Sequence, residues 1–229
     1  MDDPVTDLAA LPLRHSAPVR IRGVRAAPDA VQGAMTLLRL PDRRVGVTCQ
    51  HVVAAFREER RRDPTCAFLV GGAALVPDDR ILDEARFLDL AVLDLDDVRL
   101  SGLSDPGAAP VAFFDPAAWP LGSAAAGETL GLGRGGAEPR AAGPPDTTGG
   151  AAAGSWVARV LDAGAENIVC EVPAAGLGGL SGGPGFVRRD GVDHLAGVVF
   201  AVARSGAYLR LRPARFIRRD GTLLPRGVG

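Results

Sequence analysis

The chain has 229 residues, 47% hydrophobic and 23% charged, with a formal net charge of −1. That length supports one large or two small domains with real cores, and the near-neutral charge excludes a global field drawing the protein to nucleic acid or an anionic membrane. Lysine is absent and all 26 basic side chains are arginine, so runs such as REERRR (57–62) read as a solvated face before they read as a nucleic-acid patch.

The opening MDDPVTDLAALPLRH places acidic residues where an export signal needs positive charge, and its apolar run is short and interrupted. It reads as a loose arm. Strands are expected over 19–25, 34–40, 44–48, 67–70 and 86–95, with one or two helical turns after His51. Residues 101–125 carry four prolines and little periodicity, as in a linker crossing between two halves. Strand pattern resumes at 128–133. Residues 134–154 are a low-complexity loop with too little apolar content to order itself. Further strands are expected over 155–163, 167–172, 184–189, 194–203 and 207–212, then a short helix within 213–219. With 30 glycines and 18 prolines punctuating many short apolar runs, the pattern favours an all-β barrel or sandwich over helices.

Cysteines stand at 49, 66 and 170, an odd and sparse set unlike a secreted disulfide framework. Buried free thiols in the cytoplasm are the simplest expectation. Cys49-x-His51 hints at a metal, but no paired motif of known spacing completes a site.

Three stretches carry candidate chemistry. TCQHVVAAF (48–56) puts His51 just after an apolar run, and FLDLAVLDL (87–95) puts Asp89 inside an alternating one. GLGGLSGGPGF (176–186) centres Ser181 in a glycine-rich turn. Alone, each has a plain reading as core histidine, strand-edge charge or loop serine. In the order His, Asp, Ser they are the parts that nucleophilic acyl transfer requires. Asp94, Asp96 and Asp97 lie close enough to compete with Asp89, whereas His15 in the arm and His194 in a late strand compete poorly with His51.

Over residues 19–217 the chain resembles the trypsin-like serine peptidases, short bacterial members more than secreted digestive ones. TCQHVV stands where that family has T-A-A-H, DLAVL where it has D-[IL]-A-[VL]-[LI], and GLSGGP where it has G-[DN]-S-G-G-P. The resemblance implies a chymotrypsin-like all-β fold, two six-stranded antiparallel β-barrels with the active site in the cleft between them. On that reading residues 1–18 are an arm, 19–113 the first barrel, 114–125 the linker, 126–219 the second barrel with its C-terminal segment, and 220–229 a tail. It also implies a His51–Asp89–Ser181 triad, with the N–H groups of Gly179 and Ser181 as oxyanion hole.

Leu180 departs from the Asp or Asn usual before the nucleophile, and nothing near residue 20 resembles the I-V-G-G start of digestive relatives. Activation by cleavage is therefore not expected. Ala175 stands where Arg/Lys-cleaving relatives carry Asp, and Val198, Val199, Phe200 and Ala201 are expected to line the other side of a pocket for small or medium apolar side chains. The expected partners are a polypeptide substrate and a regulatory protein, without nucleic acid, membrane, cofactor or metal. Two other readings stay open, a catalytically silent two-barrel scaffold that binds a protein partner, and an esterase-type acyl hydrolase.

Overall fold

The structure is a computed structural model that describes residues 4–23, 31–100, 111–133, 154–172, 177–203 and 208–225. Two antiparallel sheets, both built from short apolar runs bounded by turn residues, carry most of it. The first sheet holds β1 (Ser16–Arg22), β2 (Val31–Arg39), β3 (Arg44–Thr48), β4 (Ala67–Val70), β5 (Ala73–Leu75), β6 (Ile81–Ala85) and β7 (Leu90–Asp94) in the order β5-β4-β1-β2-β3-β7-β6. The second holds β8 (Thr129–Gly133), β9 (Ser155–Ala163), β10 (Ile168–Glu171), β11 (Pro184–Arg189), β12 (Val192–Val202) and β13 (Tyr208–Pro213). It closes as a six-stranded barrel, β10-β13-β12-β11-β8-β9.

Of the two six-stranded barrels expected, the second is present. The first is a curled sheet of seven strands that does not close among the described residues. Strands β5 and β6 were not among those expected, and the expected strand 86–95 is shortened to β7. Residues 86–89 form a turn, and Asp89 takes φ 55°, a left-handed conformation that cannot continue a strand.

Residues 4–14, expected as a loose arm, form helix α1 (Pro4–Arg14) instead. Leu8 and Leu11, three apart and so on one helical face, are both buried. The helix lies on β8, where a Cβ at Gly131 would collide with the Leu8 carbonyl and one at Gly133 would come within 2.9 Å of Pro12. Arg188 then joins the helix to the barrel, donating to Asp7 at 2.7 Å and to Asp193 at 2.6 Å.

Helix α2 (Gln50–Arg62) is longer than the turn or two expected. Val52, Val53 and Phe56 form its buried stripe and pack with Met35, Leu37 and Phe68 of the sheet. Each such fully buried side chain contributes about 1.5–3 kcal/mol. The arginine run 57–62 is a solvated, ion-paired face, with Arg57 on Asp78 and Glu84 and Arg62 on Glu58. A separate apolar cluster joins the two sheets, Val47, Leu90 and Val92 meeting Phe186, Leu195 and Val198. Most of the 134–154 loop, through residue 153, lies outside the described residues.

Candidate functional site

His51 occupies the first turn of α2, whose amides have no intrahelical acceptor. Cys49, the N-cap residue, makes no side-chain cap. Asp89 does that work from the turn before β7. Its carbonyl accepts from Gln50 N at 3.2 Å, and its Oδ1 accepts from His51 N at 2.9 Å. A carboxylate at this helix end is favoured by the dipole as well as by the bond. The second oxygen, Oδ2, lies 2.7 Å from His51 Nδ1, which as the donor must carry the proton. Asp89 thus sets both the backbone and the tautomer of His51, leaving Nε2 able to accept. The imidazole side chain is 49% exposed and the carboxylate 22%.

Ser181 sits on a turn between two positive-φ glycines, Gly179 (75°) and Gly182 (93°), and only glycine takes such angles freely. Space also forbids a side chain at 182, where a Cβ would collide with the Ala34 carbonyl and lie 2.7 Å from Thr48 Oγ1. The turn is held from both sheets. Ala34 N donates to Ser181 O at 2.7 Å, Thr36 Oγ1 to Gly182 O at 2.8 Å, and Gly182 N to Val199 O at 2.7 Å. Leu180, which replaces the usual polar residue, is buried in the barrel core beside Leu130, Leu177 and Val199. Burial anchors the turn where a hydrogen-bonded carboxylate is lacking. Among the described residues no acceptor takes the N–H of Gly179 or of Ser181, and no hydrogen bond joins Ser181 Oγ to His51.

The expected pocket lining divides. Val198 and Val199 are fully buried, one in each of two core clusters. The backbone of Val199 is also engaged, its N–H donating to Gly183 O at 2.8 Å and its carbonyl accepting from Gly182 N and from Cys49 Sγ. Phe200 is half-buried, packs toward the first sheet, and carries the Arg212 guanidinium 4.2 Å from its ring centroid. Ala201 is half-buried farther along the same strand. Ala175 lies outside the described residues. Sequence reasoning missed Thr36, Thr48 and Arg212, whose partners here are mostly backbone oxygens and therefore leave no motif.

Metal-ligand atoms of Cys49, His51 and Asp89 lie within 4.8 Å of one another. The set fits an ion poorly. Burial pushes the Cys49 thiol well above its ordinary range, disfavouring the thiolate a metal needs, and Nδ1 of His51 is already engaged.

No family model matches the chain, and no curated protein does. Among solved structures, 190 chains match, so the architecture is a shared one. One of them comes from work on the coupled folding and binding of the intrinsically disordered Sesbania mosaic virus VPg protein. It aligns over 90% of this chain and 88% of that chain, with a TM-score of 0.51 and 12% identity. At that identity the likeness shows the fold alone, a mostly-β chain of two sheets. No helix among the described residues is long and apolar enough to cross a membrane.

Proposed function

We propose that this chain is a serine endopeptidase that works through His51, Asp89 and Ser181, built on two chymotrypsin-like halves with the site between them. The observation that carries the reading is the doubly bonded Asp89–His51 pair on the same sheet that ties down, at Ser181 itself, the glycine turn. Ser181 Oγ attacks the scissile carbonyl while His51 Nε2 takes its proton. The carbonyl oxygen becomes an oxyanion, for which the N–H groups of Gly179 and Ser181 are the donors. His51 then returns the proton to the departing amine, leaving an acyl-enzyme on Ser181. Water, deprotonated by His51, frees the acid and restores the hydroxyl.

Ala175 offers no carboxylate to a basic side chain, and with Ala201 it supports a preference for small or medium apolar residues before the cleaved bond. The three buried free cysteines suit a reduced compartment. Labelling with a fluorophosphonate probe tests the reading, with wild type expected to label and Ser181→Ala not. Equal labelling of both, or none of either, overturns it. The lack of a hydrogen bond from Ser181 Oγ to His51 suits a silent binding scaffold, although such bonds often tighten only on substrate. Peptide against ester turnover separates peptidase from esterase.

A further inference from the structure

Arg212, on β13 of the barrel, reaches across to the turn that precedes Asp89. Nε donates to the Leu88 carbonyl at 2.7 Å and Nη2 to the Phe87 carbonyl at 3.1 Å. Nη1 donates to the Glu166 carbonyl at 3.0 Å and to Asn167 Oδ1 at 2.8 Å. The planar fork matches this array in a way a lysine ammonium cannot, and Phe200 supports its face. Among the described residues no carboxylate comes within ion-pair distance of this half-buried cation, although the charges of Glu166 and Asp89 reach it. Its four acceptors are neutral oxygens, and two belong to the residues immediately before Asp89.

Asp89 needs such help. A non-glycine residue at φ 55° persists only where the surroundings over-determine it. Gln50 and His51 hold Asp89 from the first sheet. Arg212 is the hold from the second. We propose that Arg212 is a positioning residue for the Asp89–His51 pair, fixing the Phe87 and Leu88 carbonyls from the opposite sheet so that Asp89 keeps its left-handed backbone and its carboxylate stays on His51. Burial pushes the guanidinium below its ordinary range, yet an arginine stays charged at any working pH, so the clamp does not titrate. The kinetic consequence rests on the peptidase reading; the structural one does not.

Arg212→Gln and Arg212→Lys are compared with wild type in two measurements. The first is amide hydrogen exchange at Gln50 and His51, whose N–H groups donate to Asp89. Both variants should exchange there at least about tenfold faster while β9 amides keep their protection. The second is the maximal rate of fluorophosphonate labelling, which should fall about 10- to 100-fold as the base drifts from the serine, with the half-saturating probe concentration held within about threefold. Unchanged protection in folded variants overturns the proposal. So does wild-type behaviour of Arg212→Lys, since charge without the fork would then suffice. If wild type is never labelled but its variants still lose protection, the peptidase reading falls and the clamp stands. Should both variants fail to fold, Asn167→Ala removes one acceptor of the fork. Faster exchange at His51 then supports the clamp, and unchanged exchange refutes it.

Discussion

Ala34 donates its amide hydrogen to the carbonyl of Ser181 at 2.7 Å, so β2, the strand paired with the one that leads to His51, grips the serine turn directly. Thr48 Oγ1 braces the same residue from behind, donating to Ala34 O at 2.8 Å. Gly33 completes the contact, because it leaves room between the Ser181 carbonyl and the α2 side chain of Val52. One short piece of β2 thus contacts both the serine turn and α2.

Gly33→Ala tests that contact. The added Cβ would lie 2.8 Å from Ser181 O and 2.9 Å from Val52 Cγ2, so backbone or helix must shift. Overpacking of this kind costs about 1–3 kcal/mol, roughly 2–10 °C in melting temperature for a chain of this size. Labelling of Ser181 should fall at least about tenfold as well. Calorimetry and probe kinetics on the same samples read both. Wild-type values in each would show that the turn and α2 yield without consequence.

Asp89→Asn keeps the shape of the side chain and removes its charge. Loss of the carboxylate that holds the imidazole tautomer lowers kcat about 10⁴-fold in enzymes of this mechanism. The α2 end also exchanges a charged acceptor for a neutral one at His51 N, a cap change expected to cost about 0.5–2 kcal/mol. Peptide turnover within about tenfold of wild type would remove Asp89 from the proposed triad.

Local pattern made much of this fold legible. Arg44–Thr48, Ala67–Val70, Ser155–Ala163 and Pro184–Arg189 fall on the expected strands, since each is an apolar or alternating run closed by turn residues. The run 86–95 misleads for a physical reason. Its alternation continues through Asp89, but the break there is held by partners far along the chain, Gln50, His51 and Arg212. Helix α1 was hidden in the same way, because Leu8 and Leu11 find their burial in a cluster with Phe186 and Leu195, more than a hundred positions later. Motif order picked out His51, Asp89 and Ser181. Motif and alternation do not tell which face of a strand turns into the barrel, so the burial of Val198 and Val199 was not legible.

The cysteines make a separate test. All three are free and buried, and burial pushes Cys170 up to about 12. The thiolate is the reactive form, so Ellman's reagent should find almost no thiol in the native protein and three in denaturant. Cys66, 7% exposed against 0% for Cys49 and Cys170, should react first when the protein is warmed. A Cys49–Cys66 disulfide in non-reduced peptide maps would contradict the free-thiol structure.

His15 ties three segments together and titrates. Its Nδ1 donates to Ala112 O at 3.0 Å, its carbonyl accepts from Leu37 N at 2.9 Å, and its ring sits edge-on to Phe114 and Phe186. Burial lowers its pKa below the ordinary 6.5, with the charge of Arg14 adding to the effect and the Ala112 bond and Asp193 opposing it. The unfolded chain therefore takes up this proton at a higher pH than the folded one. Stability from neutral His15 is complete above about pH 6.5, is lost as pH falls from there through the folded value, and levels off below it. His15→Phe keeps a ring between Phe114 and Phe186 but cannot titrate. Melting temperatures of the two proteins between about pH 7.5 and 5 isolate the effect, because most carboxylates titrate lower. Wild type should lose ground to the variant on acidification, and parallel curves would show that His15 is protonated in the fold at no cost.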